Sequence, residues 1–93
     1  MKTIWKFPLT AQTYQSIEMP IGASILTAQL QGETLCIWAL VDKDLTSAQI
    51  EKRHFLIFGT GHDIMHGYDL KYISTFQLHG GALVFHLFEE LKH

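Results

Sequence analysis

Apolar and polar residues alternate along this chain with a period of two, and turn residues interrupt the alternation at short intervals. In "TIWKFPL", Thr3, Trp5, Phe7 and Leu9 fall on one side and Ile4 and Lys6 on the other, and Pro8 suits an edge strand better than a central one. "SIEMP" sets Ile17 and Met19 against Ser16 and Glu18 before Pro20 and Gly22 turn the chain. "ASILTAQLQ" and "TLCIWALV" are joined through Gln31, Gly32 and Glu33, which predicts an antiparallel hairpin whose second arm is apolar on both faces. "RHFLIFGT" resumes strand character. In "YISTFQLHGGALVFHLFEE", Gly80 and Gly81 predict a two-residue hairpin turn with positive φ. That turn pairs His79 with Ala82, Gln77 with Val84 and Thr75 with His86, and places Phe76, Leu78, Leu83 and Phe85 on the opposite, apolar face.

No sustained helical stripe accompanies these strands. "DKDLTSAQIEK" is the one polar, helix-permissive stretch, and Thr46 or Ser47 there could cap a short helical turn near residues 45–52, a plain loop being the alternative. The expectation is an all-β, mainly antiparallel fold, a compact small sandwich or barrel of about six or seven strands.

Composition narrows the function classes. The 93 residues suit a single domain, 1–93, with a small core. Apolar residues make up 47% and the formal charge is −2, values that fit neither a disordered tail nor a basic nucleic-acid arm. Neutralising a DNA backbone needs clustered cations, whereas the seven Lys and Arg are scattered apart from the pair Lys52 and Arg53. No apolar run reaches the roughly 18 residues of a membrane helix. The single cysteine, Cys36, sits in an apolar run as a small hydrophobe, and a lone thiol fits a reducing, intracellular compartment.

The chemistry concentrates in "FLIFGTGHDIMHGYD". His62 and His66 with Asp63 or Asp69 offer zinc-ligating atoms, but the spacing lies between glycines without a helical frame and no fourth ligand is apparent, so no metal is assigned. Gly59 and Gly61 could aim backbone N–H groups at an anion, although the Gly-Lys-Ser/Thr end of a nucleotide-binding loop is absent. With His62 they form, together with Thr75, Gln77 and His86 of the hairpin, the candidate site for a ligand or partner, its most natural small ligand being a polar anionic molecule such as a nucleotide. No catalytic residues and no cofactor are assigned. Strands apolar on both faces predict a homo-oligomer, most simply a dimer, with Trp5 or Trp38 as interface anchors.

The segments "TIWKFPL", "SIEMPIGASILTAQLQ", "IWALVD", "FGTGH" and "YISTFQLHGGALVFHLFE" together resemble a family of small phage and prophage proteins of unknown function, in that order and over nearly the whole chain. In that family a proline usually follows "FGTGH", where this chain has Asp63; His66 and His79 also depart from the pattern. The resemblance implies a virus-encoded accessory protein acting in the host bacterial cytoplasm. By analogy with such proteins, the expected function is non-enzymatic counter-defence, inhibiting an immune protein complex or sequestering a nucleotide immune signal. A virion structural or assembly protein and a small hydrolase of a nucleotide signal are the alternatives.

Overall fold

The computed structural model describes residues 1–46 and 48–91. Seven strands run in order: β1 (Lys2–Pro8), β2 (Tyr14–Pro20), β3 (Ser24–Gln31), β4 (Thr34–Asp42), β5 (Ile50–Gly59), β6 (Leu70–Leu78) and β7 (Leu83–Glu90). They form two antiparallel sheets, β1-β4-β3 and β2-β5-β7-β6, packed face to face as a small sandwich. Alternation puts Leu35, Ile37, Ala39 and Val41 of β4 against Met19, Phe55 and Leu87 of the larger sheet, and these residues form the buried core. β1 is an edge strand, with Pro8 as its last residue.

The two arms of the β3–β4 hairpin close at Gln31 opposite Thr34 through Gly32, whose φ is 64°, and Glu33. β4 is apolar on both faces because it is the centre of its sheet. On the outward face Cys36 is nevertheless buried, paired across the ladder with Gln29, while Trp38 lies between Lys6 and Thr27. Side chains of the two flanking strands thus supply part of the cover that the sequence assigned to a second subunit.

Two expectations need correction. Within residues 45–52 the described part holds turns and then β5 rather than a helical turn: Gln49 N–H donates to Thr46 O, and the Gln49 side-chain carbonyl accepts from Thr46 N–H and Oγ1. Glutamine here closes the turn that a helix cap would have opened. Ser47, the other proposed cap, lies outside the described residues.

The second correction concerns the last hairpin. Gly80 and Gly81 have φ of 66° and 96°, and Ala82 N–H donates to His79 O at 3.2 Å across them. His79 also has a positive φ, 54°, so the strands close at Leu78 and Leu83 and the connection is four residues long, not two. The two glycines adopt the left-handed conformation freely, but it extends back into His79, which carries a Cβ and is strained by it. The register is the one inferred from the sequence, Gln77 opposite Val84 and Thr75 opposite His86.

The left-handed conformation costs a residue with a Cβ about 1–2 kcal/mol, and glycine returns about 0.5–1 kcal/mol of that through its freer unfolded chain. His79→Gly is therefore expected to raise the melting temperature by a few degrees. Calorimetry showing a lower melting temperature would mean that the imidazole makes contacts worth more than the strain.

Candidate functional site

β5 and β6 are both antiparallel to β7, which lies between them, so they run parallel to each other and cannot be joined by a tight turn. Residues 60–69 must carry the chain back along the sheet. The inner face is filled by the core, so this strap crosses the outward face, from Thr60 beside His86 to Tyr68 close enough to the Tyr14 phenol to act on its ionisation. The crossing accounts for Leu56, which points away from the other sheet and yet is only 2% exposed. Around it Phe88 meets Phe58 and Tyr72 edge-on, at centroid distances of 6.0 and 5.7 Å.

A chain of side-chain hydrogen bonds holds the start of the strap. Tyr72 Oη lies 2.7 Å from Thr75 Oγ1, which lies 2.9 Å from His86 Nδ1, and His86 Nε2 lies 2.7 Å from Thr60 Oγ1. Thr60 Oγ1 in turn reaches Val84 O at 3.4 Å. Either His86 tautomer completes the chain, since each hydroxyl can donate to or accept from the group it faces. His86 is thus a pin between sheet and strap.

The other end is held by the Leu91 N–H, which donates to the Asp69 carbonyl at 2.8 Å; on the same face the Tyr14 hydroxyl lies 3.0 Å from His54 Nδ1 and donates to Glu90 Oε1 at 3.4 Å, with the Tyr14 and His54 rings stacked at 5.9 Å. Desolvation, and then the Glu90 carboxylate, push the Tyr14 hydroxyl above its ordinary value, so it stays a neutral donor.

Of the residues singled out in the sequence, Thr75 and His86 touch. His62 does not join them. Its imidazole fills the space where a Gly59 side chain would project, 2.7 Å from the place of that Cβ, and alternation puts that space on the side of Phe55 and Ile57 rather than of His86. A side chain at Gly59 would have to displace this exposed imidazole. Gly61, at φ 86°, supplies the left-handed corner of a turn closed by His62 N–H donating to Gly59 O at 3.0 Å. Thr60 N–H donates to Val84 O at 3.1 Å, so two of the loop's amides are spent on the fold instead of an anion. Gln77 turns to the hairpin tip and lines a shallow cleft with Gly32, Glu33 and His79. Trp5 and Trp38 lie on opposite faces of the smaller sheet, since Trp5 pairs with core-facing Ala39 and Trp38 pairs with outward Lys6, so they cannot anchor one contiguous patch. Among the described residues no three His, Cys, Asp or Glu side chains converge as a metal site.

Tyr72 and Thr60 escaped the sequence reading. The bulge between Tyr72 and Ser74 shifts the phase of β6, so simple alternation puts Tyr72 on the wrong face. Thr60 reaches His86 only through the path of the strap.

The fold and its strapped face define a two-sheet, seven-stranded antiparallel sandwich whose glycine-rich crossover is pinned on a histidine. Over residues 1–93 the chain matches a family described as a domain of unknown function, DUF7352, and it belongs to that family. No curated protein and no solved structure matches it. No helix among the described residues is long and apolar enough to cross a membrane.

Proposed function

We propose that this chain is a phage-encoded accessory protein that works in the host bacterial cytoplasm as a non-enzymatic counter-defence factor, gripping a protein of the host's immune machinery with the strap over its larger sheet. The observation that carries this reading is the exposure of Ile64 and Met65, 46% and 74%, on a strap tied down near both ends. Adjacent apolar side chains held out of the core on a fixed loop are a feature of protein-binding surfaces, and a thioether adapts to an uneven partner. Exposed Tyr72 and Tyr14 flank the strap from the two edge strands of the sheet.

A protein partner is favoured over a nucleotide signal because the strap carries Asp63 and Asp69 and neither Lys nor Arg. Against a hydrolase stands the use of both His86 ring nitrogens in hydrogen bonds to threonines, with no carboxylate among those partners to orient the ring as a base. Self-association belongs to the same reading: the exposed edge of β1, with Ile4 and Trp5 accessible, offers a pairing surface for a second copy.

The test is an infection assay in bacteria carrying defined defence systems, each expressing this protein or the double variant Ile64→Asp, Met65→Asp. The expected result is that the protein restores plaque formation against at least one defence and the variant loses the effect, with an unchanged melting temperature because neither side chain is buried. Restoration by the variant would remove the strap from the function. Co-purification of a nucleotide would move the reading to sequestration, and incorporation into purified virions would move it to a structural role.

A further inference from the structure

Away from the strapped face, the two sheets part at one end of the sandwich and leave a cleft of about 290 Å³. It opens between the tips of the β3–β4 and β6–β7 hairpins. Its walls are Leu30, Leu35, Ile57, Phe76, Leu83 and Phe85, drawn from both sheets. Phe76 and Phe85 stack at 5.8 Å and form a flat apolar wall. At the rim stand Thr10, Thr34 and Glu33, and no Lys or Arg lines the cleft.

Two features say what such a cleft accepts. Its volume is at the lower limit of the roughly 300–1,000 Å³ usual for ligand sites, so it admits one short chain or ring. Its one charged rim group, Glu33, sits in the two-residue turn after Gly32, and its carboxylate has no hydrogen-bond or ion-pair partner among the described residues. The adjoining shallow cleft shares Glu33 and Leu30, so Glu33 borders the mouth on both sides.

We propose that this inter-sheet mouth is a binding site for a small amphiphilic amine. The apolar part enters between Ile57 and the Phe76–Phe85 wall, and the ammonium stays at the rim, donating hydrogen bonds to the Glu33 carboxylate with the Thr10 and Thr34 hydroxyls nearby. Anionic amphiphiles of the same length meet the same apolar walls but are repelled at the rim. The site is independent of the strap and does not rest on the counter-defence reading.

The test is calorimetric titration of the whole protein with n-octylamine and with octanoate at neutral pH and low salt, repeated on Glu33→Gln and Leu83→Trp. Glu33 is an exposed turn residue and Leu83 a partly exposed mouth residue, so both variants are expected to fold, and melting curves check this. Octylamine is expected to bind about fivefold more tightly than octanoate, the modest ratio that a solvent-exposed charge supports. Glu33→Gln should abolish that preference while keeping the apolar contribution, and Leu83→Trp should plug the mouth and abolish binding of both. Equal binding of octanoate, or a preference that survives Glu33→Gln, overturns the assigned chemistry. No saturable binding of octylamine, or binding to phosphatidylethanolamine vesicles in place of the free amine, overturns the site.

Discussion

Phe55→Ala is expected to lower the melting temperature by about 12–40 °C, the result of losing about 3–5 kcal/mol in a domain of this size. Phe55 is completely buried, in an interior strand of the larger sheet and directed at the core. Its neighbours come from two hydrogen-bonded sheets, so they cannot collapse into the space a truncated ring leaves. A chain of 93 residues has about 5–14 kcal/mol of stability in total at the usual 0.05–0.15 kcal/mol per residue, so this one substitution removes a large share. Denaturant titration followed by circular dichroism measures it. A loss below about 1 kcal/mol would mean that the sheets can close over the gap, and the account of a rigid core would be wrong.

The second large effect is expected at an ion pair inside the same sheet. Arg53 projects between the sheets from β5, and its guanidinium grips Glu89 of β7 with two nitrogens, Nε and Nη2, the latter at 3.0 Å, while Nη1 donates to the Ala23 carbonyl at 2.8 Å. The side chains are 17% and 9% exposed. Hydrogen bonding to Glu89 holds the Arg53 guanidinium above its already high ordinary value, so it is charged at every accessible pH. Glu89→Leu is expected to cost about 3–5 kcal/mol, because the largely buried cation loses its hydrogen-bonded counter-charge and keeps only the weaker attraction of Glu51. Arg53→Met combined with Glu89→Leu should recover most of that, since replacing both partners by apolar groups of similar volume is often close to neutral. The comparison of single and double variants by denaturant titration is the check. A double variant as unstable as Glu89→Leu alone would show that the bond to Ala23 O, which ties the sheet to the start of β3, matters more than the charge pairing.

That pair also shows where reading the sequence stops. Glu89 and Glu90 look alike as a polar end to the last strand, and Lys52 and Arg53 look like one exposed basic pair. Period-two alternation separates them, sending Arg53 and Glu89 inward and Lys52 and Glu90 outward. It does so only once the facing of β5 and β7 is known, and that depends on the opposing sheet.

The local chemistry of the chain determined an all-β fold of six or seven strands, the edge position of β1, a β3–β4 hairpin turning at Gly32 and the pairing of Thr75 with His86. All of these follow from alternation and turn residues within a few positions of one another, where the backbone's own geometry decides. Tertiary structure alone decided that β7 lies between β5 and β6. That order turned "FGTGHDIMHGYD" from a candidate cradle into a strap across a sheet, sent His62 over Gly59 instead of toward His86, and brought Thr60 to the imidazole. Sheet order carries no local signature, because it is set by which faces of distant strands bury the most apolar area together, a sum over the whole core that no short stretch contains.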